Sequence, residues 1–381
     1  MKNHIFLLSA SDRFNYGDVL FPIVAKHELE KLGDFEFRNI ATIASDLAEC
    51  GALATESYKA LLDYQNLPDN STLIVAGGEV LTANWSRLIS FTSEFYHQMY
   101  EKHSSTRLEN IAKHRFGDNQ LAYPFVPAAE PLLAKVKLVF HAVGGGPTHK
   151  LPEQEEVKRS VEAARYFSVR ERDTRRWIAN HYEQQVSLVP DSVMVLSDMH
   201  PKSSLPSPNE SEYACIQFGF LKSQHRLPDV LKELKTIHQQ QKLAIGLLSI
   251  GNCPGHDDMK SVEWIIQHAD FPVFTLPSDS INAITASIAH AKIFIGTSLH
   301  GVIVSLSYGN PFVAVNKKIR KIEAYTQAWA PEYLKGSVDF NQIAQTVAER
   351  LNQHKGYLPF VANQKNMVRK SFAKIASIAM Q

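Results

Sequence analysis

The sequence predicts an α/β protein built from two Rossmann-like domains that face each other across a cleft. Three observations carry this. Short apolar segments without strict alternation recur between longer helical stretches, the pattern of strands buried on both faces of parallel sheets. The pattern breaks around Pro201–Ser211, where "PKSSLPSPNESE" is rich in proline and serine, reads as a linker, and is followed by a second series of the same kind. The 381 residues exceed the usual single core and suit two domains of about 100–200 residues each. The expected domains are 1–205 and 212–381, with the last helix able to pack back on the first domain.

Strands are expected at "HIFLLSA" (4–10), "STLIVAGG" (71–78), "KLVFHAVGGG" (137–146) and "YFSVR" (166–170). After the linker come "YACIQFG" (213–219), "KLAIGLLSI" (242–250), "FPVFTL" (271–276), "AKIFIGT" (291–297) and "PFVAV" (311–315). Several end in glycine or polar residues, at the carboxyl ends where doubly wound sheets hold ligands. One stretch departs from the alternation. Residues 84–131, rich in aromatics and histidines, read as a helical insertion, either an ordinary surface helix pair or a lid over an acceptor.

Bulk composition narrows the function. The net charge of +1 argues against a broad footprint for duplex nucleic acid, while leaving local basic clusters free to bind a small anion. Cys50, Cys215 and Cys253 are too scattered for a disulfide framework or a zinc motif and fit a reducing cytoplasm. "MKNHIFLLSA" reads as a first strand rather than a signal peptide, and no run approaches the ~20 apolar residues of a membrane span.

The candidate chemistry sits at the predicted strand ends. In "NYGDVLFPIV", Asn15 and Gly17 make a strand-to-helix turn, and Asp18 is expected to cap a helix beginning at Val19. Gly77 and Gly78 of "VAGGEVL", and Gly145 and Gly146 of "AVGGGPTHK", would let a backbone or ligand approach closely. Neither cluster matches a dinucleotide or P-loop fingerprint, and His149 reads as a loop residue. Arg170 in "YFSVRERDTRRW" is either an anion clamp or half of a structural ion pair. Asp191 in "VPDSVMVL" is a turn residue or a cleft acid. His256 in "IGNCPGHDD" should face the cleft, and consecutive His-Asp-Asp residues make a poor metal site, so no metal is expected.

The densest signal is "GTSLHGVIVSLSYGNPF" (296–312). Ser298 is a natural N-cap, His300 falls in the first turn of a helix over 301–308, and Gly309, Asn310 and Pro311 end it. An imidazole at a helix N-terminus resists protonation, and the same positive end favours an anion nearby. A buried structural histidine is the plainer alternative.

Taken together, "NYGDVL", "IVAGGEVL", "AVGGGP", "FSVRERD", "VPDSVMVL" and "GTSLHGVIVSLSYGNPFVAV" followed by "NKKI" resemble the polysaccharide pyruvyl transferase family. The resemblance implies a GT-B-like fold, with the first domain on the acceptor side and the second on the donor side. It implies transfer of pyruvate from phosphoenolpyruvate to two hydroxyls of a sugar as a cyclic ketal, with phosphoenolpyruvate as co-substrate and no cofactor. The partner would be a sugar or oligosaccharide acceptor, lipid-linked acceptors included, which leaves room for peripheral membrane association. By the same resemblance His300 matches the family's "LHG"-type histidine, expected to have a pKa near neutrality and to act as general acid/base. Arg170 matches the arginine of the "SVRE" motif. Lys318 matches a lysine past the next strand, and Ser298 and Gly301 complete the donor-binding set. Ser298 stands where many members carry arginine, which removes one clamp; Lys317, Lys318, Arg320 and Lys321 are the cations at hand to replace it. Two competing readings are a GT-B glycosyltransferase with a nucleotide-sugar donor and a non-catalytic glycan-binding protein.

Overall fold

In the computed structural model, which describes residues 2–102, 105–117, 121–145, 155–354 and 356–381, the apolar segments assemble into two parallel sheets. The first holds β1 (Asn3–Leu8), β2 (Phe35–Ala41), β3 (Glu56–Ser57), β4 (Ser71–Ala76), β5 (Val136–Val143), β6 (Tyr166–Val169) and β7 (Val186–Leu188), in the order β3-β2-β1-β4-β5-β6-β7. The second holds β8 (Tyr213–Gln217), β9 (Ala244–Leu247), β10 (Val273–Thr275), β11 (Ile293–Gly296), β12 (Phe312–Val315) and β13 (Ser337–Val338), in the order β10-β9-β8-β11-β12-β13. Both sheets therefore reverse winding direction beside their first strand, between β1 and β4 and between β8 and β11. At such a switch point the connections diverge to opposite faces and leave a crevice at the carboxyl ends.

Four strands have no counterpart among the segments predicted from sequence: β2, β3, β7 and β13. β3, β7 and β13 lie at sheet edges and are two or three residues long. In β2, "FEFRNIA", the first half is partly exposed and carries Glu36 and Arg38, so it lacks the unbroken apolar run of a central strand.

Side chains alternate across the first sheet. Ile5, Leu7, Ile74 and Val139 face the helices Tyr16–Glu30 and Leu358–Ala379. Phe6, Leu8, Leu73, Val75 and Phe140 face the other way, toward Trp85 and the insertion. The first of these cores continues into the second sheet through Tyr213, Phe294, Val302 and Leu306, so one apolar body spans both halves. Full burial of each such aliphatic or aromatic side chain is worth about 1.5–3 kcal/mol. Polar contacts pin the same seam: the Tyr16 amide donates to the Ile250 carbonyl at 3.1 Å, and the Tyr16 hydroxyl meets that of Thr285 at 2.8 Å.

The last helix packs across β1, β4 and β5 of the first sheet. Its Ser371 meets Tyr166 and His141, each at 3.1 Å. The segment after β4 carries the helices Trp85–Ser90, Glu94–Lys102 and Ser105–Phe116. Trp85 anchors it, buried against Tyr58 and donating its indole N–H to the Leu121 carbonyl at 2.9 Å. Among the described residues, no helix is long and apolar enough to cross a membrane.

Candidate active site

The two switch points open into one cavity of about 390 Å³, within the range of small-molecule sites. Its floor comes from the loops after four strands: Arg13, Asn15 and Asp18 after β1, Gly78 and Glu79 after β4, Gly219 and Lys222 after β8, and Ser298 and His300 after β11. Arg170 enters from the end of β6, and His256 from the loop after β9. The insertion closes one side with Arg87, Phe91, His97 and Tyr100, so its first two helices form a wall of the cavity rather than a detached surface pair.

His300 is placed by its own helix, Leu299–Ser307. Ser298 is the N-cap, as its residue type predicts, and its hydroxyl accepts the Gly301 amide at 3.3 Å. The ring then crosses to the other half of the molecule. It packs edge-on to Phe21, with centroids 5.3 Å apart, and its Nε2 lies 3.8 Å from Asp191 Oδ2. Its Nδ1 edge rests on Gly17, where a Cβ would sit only 1.7 Å from Nδ1. The glycine of "NYGD" thus provides the seat for a histidine 283 positions later in the chain.

Burial pushes the His300 imidazole down to about 4; Asp191 opposes this, and Arg170 and Lys321 reinforce it. At neutral pH the ring is therefore uncharged, which corrects the expectation of a pKa near neutrality: the site is drier and more cationic than a helix N-terminus alone implies. Arg170 is almost fully buried, donating to Asp191 at 2.8 Å and to Glu171 at 3.4 Å. Burial opposes its charge, but Asp191 and Glu171 outweigh burial and keep it cationic. It is a member of a buried ion pair, as one of the two sequence readings has it, and it also borders the cavity.

The remaining expected residues divide. Asn15 lines the cavity and bridges to Gly251 across the halves. Asp18 also lines it, but it is not the cap: the helix begins at Tyr16 with Asn15 as N-cap, because the chain turns three residues earlier than predicted. Burial raises the Asp18 carboxyl above its ordinary value, with Arg13 opposing. Gly78 borders the cavity, whereas Gly77 is turned against Phe21 and Gly145 against the Glu79–Leu81 backbone. Gly146 and His149 lie outside the described residues. Gly301 does not line the cavity: it is buried where any Cβ would meet the Phe294 ring at 2.1 Å, and the missing Cβ lets the helix close on β11. Asp191 is fully buried behind Arg170 and His300.

Lys318 is a correction. It is exposed and turned away, its amide held by Asn316 Oδ1 at 3.1 Å, and the lysine that reaches the cavity is Lys321, 3.6 Å from Glu79 of the opposite half. A tight turn at Asn316, with φ of +79°, starts the next helix at Arg320 and gives Lys321 the inward phase. Of the other cations at hand, Lys317 is spent on Asp339 at 2.9 Å. Arg13, Arg87 and Lys222 are cavity cations that sequence reasoning passed over. Arg13 and Lys222 carried a signal, each a basic residue shortly after the first strand of its half. Their joint effect is visible at His256, pushed down to about 3 by burial together with Lys222, Lys321, Arg13 and Arg87. Among the described residues no cluster of three or more His, Cys, Asp or Glu side chains could hold a metal ion.

Two doubly wound sheets with a shared cleft at their switch points define the GT-B class, and comparison with solved structures agrees. The UDP-GlcNAc 2-epimerase of Methanocaldococcus jannaschii superposes with a TM-score of 0.55 at 12% identity, covering 97% of this chain and 99% of that one. The UDP-GlcNAc 2-epimerase of Neisseria meningitidis, bound to UDP-GlcNAc, gives 0.52 at 11% identity over 100% and 99%. An alpha-glucosyltransferase in complex with UDP and DNA gives 0.51 at 8% identity over 100% of both chains. At these identities the likeness is one of fold. No curated protein matches the chain in sequence. The profile of the polysaccharide pyruvyl transferase family matches residues 15–317, and the chain belongs to that family.

Proposed function

We propose that the protein transfers pyruvate from phosphoenolpyruvate to two hydroxyls of a sugar in a polysaccharide or its precursor, closing a cyclic ketal. The observation that carries the reading is the placement of His300, which lines the cavity together with Arg170 and Lys321 and rests on Gly17 of the opposite half, where burial holds its imidazole below the ordinary range. Phosphoenolpyruvate brings a phosphate and a carboxylate, and the two cations suit those groups. Neutral His300 takes the proton of the first sugar hydroxyl as its oxygen bonds to C2 of the donor. The imidazolium, favoured once an anion is bound, returns that proton to the C3 methylene, which becomes a methyl group. The C2–O bond to phosphate then breaks, the second hydroxyl bonds to C2, and its proton leaves with the phosphate. One donor and one diol thus give one ketal and one phosphate.

A phosphate-release screen with phosphoenolpyruvate against galactosides, glucosides and N-acetylhexosamines tests this. Release should require both substrates, and His300→Ala should lower it about 10²–10⁴-fold; near-normal turnover of that variant refutes the role of His300. Protection against thermal unfolding by nucleoside diphosphates, and not by phosphoenolpyruvate, would replace the reading with nucleotide-sugar transfer.

A further inference from the structure

His300 has two ring nitrogens, and its surroundings treat them differently. Nε2 is sealed from solvent and has no hydrogen-bond partner, with the Asp191 carboxylate 3.8 Å away. Nδ1 lies on the opposite edge, over the notch left by Gly17. The ring nonetheless borders the cavity, and its side chain keeps 13% of its exposure. A molecule in the cavity therefore reaches the ring along an edge other than that of Nε2.

Asp191 is fixed independently of His300. Its Oδ1 accepts the Val193 amide at 3.0 Å and its Oδ2 accepts the Arg170 guanidinium at 2.8 Å. It is fully buried, so it touches no substrate. A fixed carboxylate facing an imidazole nitrogen favours a proton there, because the other tautomer would point a lone pair at the negative charge. The 3.8 Å separation is too long for a formed hydrogen bond, but such contacts in empty sites commonly tighten when substrate binds.

We propose that Asp191 is a positioning residue that holds His300 as its Nε2–H tautomer, leaving Nδ1, seated over Gly17, as the nitrogen that exchanges protons with the substrate. The inference rests on the proposed acid/base role of His300 and assigns that role to one atom. Asp191 and Gly17 belong to the first half and His300 to the second, so the reactive nitrogen is oriented only when the two halves are packed together. Arg170 shares the carboxylate, which links the anion-facing wall to the histidine.

The test has two arms. Nitrogen-15 spectra of protein labelled at histidine, with His300 assigned by its loss in His300→Gln, read the tautomer directly at neutral pH. The wild type should show Nε2 protonated and Nδ1 bare, and Asp191→Asn should show a mixture. A wild-type Nδ1–H tautomer overturns the proposal, and this measurement stands even if Asp191→Asn does not fold or if phosphoenolpyruvate is not the donor. In the kinetic arm, Asp191→Asn should lower kcat about 10²–10⁴-fold with KM for phosphoenolpyruvate within about threefold. Adding it to His300→Gln should cost nothing further. A raised KM with unchanged kcat, or additive losses, would mean that Asp191 serves only Arg170.

Discussion

Replacing Gly17 by alanine should disable the site while leaving the fold intact. The new methyl carbon would lie 1.7 Å from His300 Nδ1, 2.2 Å from Cγ and 2.3 Å from Cε1, whereas real contacts of this kind rarely fall below 3.4 Å. The ring must therefore recede by about 1.5–2 Å, a displacement on the scale at which a ~1 Å misplacement costs about 10²-fold in rate. Its retreat is limited by Phe21 on one side and Asp191 on another, so it swings out of the seam. The backbone itself tolerates alanine: Gly17 is the second residue of its helix and has no left-handed φ, so alanine is favoured there over glycine by less than the ~1 kcal/mol of a helix interior and offsets only part of the ~1–3 kcal/mol that overpacking costs. The assay is phosphate release from phosphoenolpyruvate with an acceptor, read beside the thermal midpoint. We expect kcat to fall about 100-fold or more, with Tm within several degrees of wild type. A Gly17→Ala enzyme retaining half of the wild-type kcat would show that the seat of His300 is not a catalytic constraint.

Three further outcomes follow from the same geometry. Lys321→Ala should raise KM for phosphoenolpyruvate about tenfold or more, while Lys318→Ala should leave it unchanged; equal effects in a steady-state comparison would contradict the assignment of the inward lysine. Stability should fall in mild acid through His141, which burial pushes down to about 4. Because its folded pKa lies below the ordinary ~6.5, the unfolded chain binds more protons. The stabilisation is therefore complete above about pH 6.5 and lost toward pH 4, about 2 kcal/mol of it by pH 5. Thermal midpoints of wild type and His141→Gln between pH 7.5 and 5 check this, and parallel profiles would rule it out. Ser298→Ala should cost about 1 kcal/mol by removing the N-cap of the His300 helix, measured by urea unfolding; a neutral result would mean the cap is replaceable by solvent.

The sequence by itself determined the elements whose signal is local. Central strands such as β4 and β11 are apolar on both faces and so are written as unbroken runs, and the Ser298 cap and the Gly309 stop depend on residues a few positions apart. Chain order also put His300, Arg170 and His256 at strand ends, where parallel sheets hold ligands. The edge strands β3, β7 and β13 were illegible because two or three residues carry no pattern, and β2 because its partly exposed first half admits polar residues, Glu36 and Arg38.

Only the tertiary structure decided what depends on distant residues meeting. The turn at Asn316 decides whether Lys318 or Lys321 faces the cavity, since Lys318 falls within that turn while Lys321 lies in the first turn of the helix that follows it. Gly17 read as a turn glycine and Asp191 as a turn residue or a cleft acid, and neither could be tied to His300 until that ring is laid on one and beside the other. The charge state of that histidine is likewise not a property of "LHG". It is set by burial, by a carboxylate from the opposite half and by cations brought from both, because electrostatic energy depends on distance in space and on the water excluded between the charges.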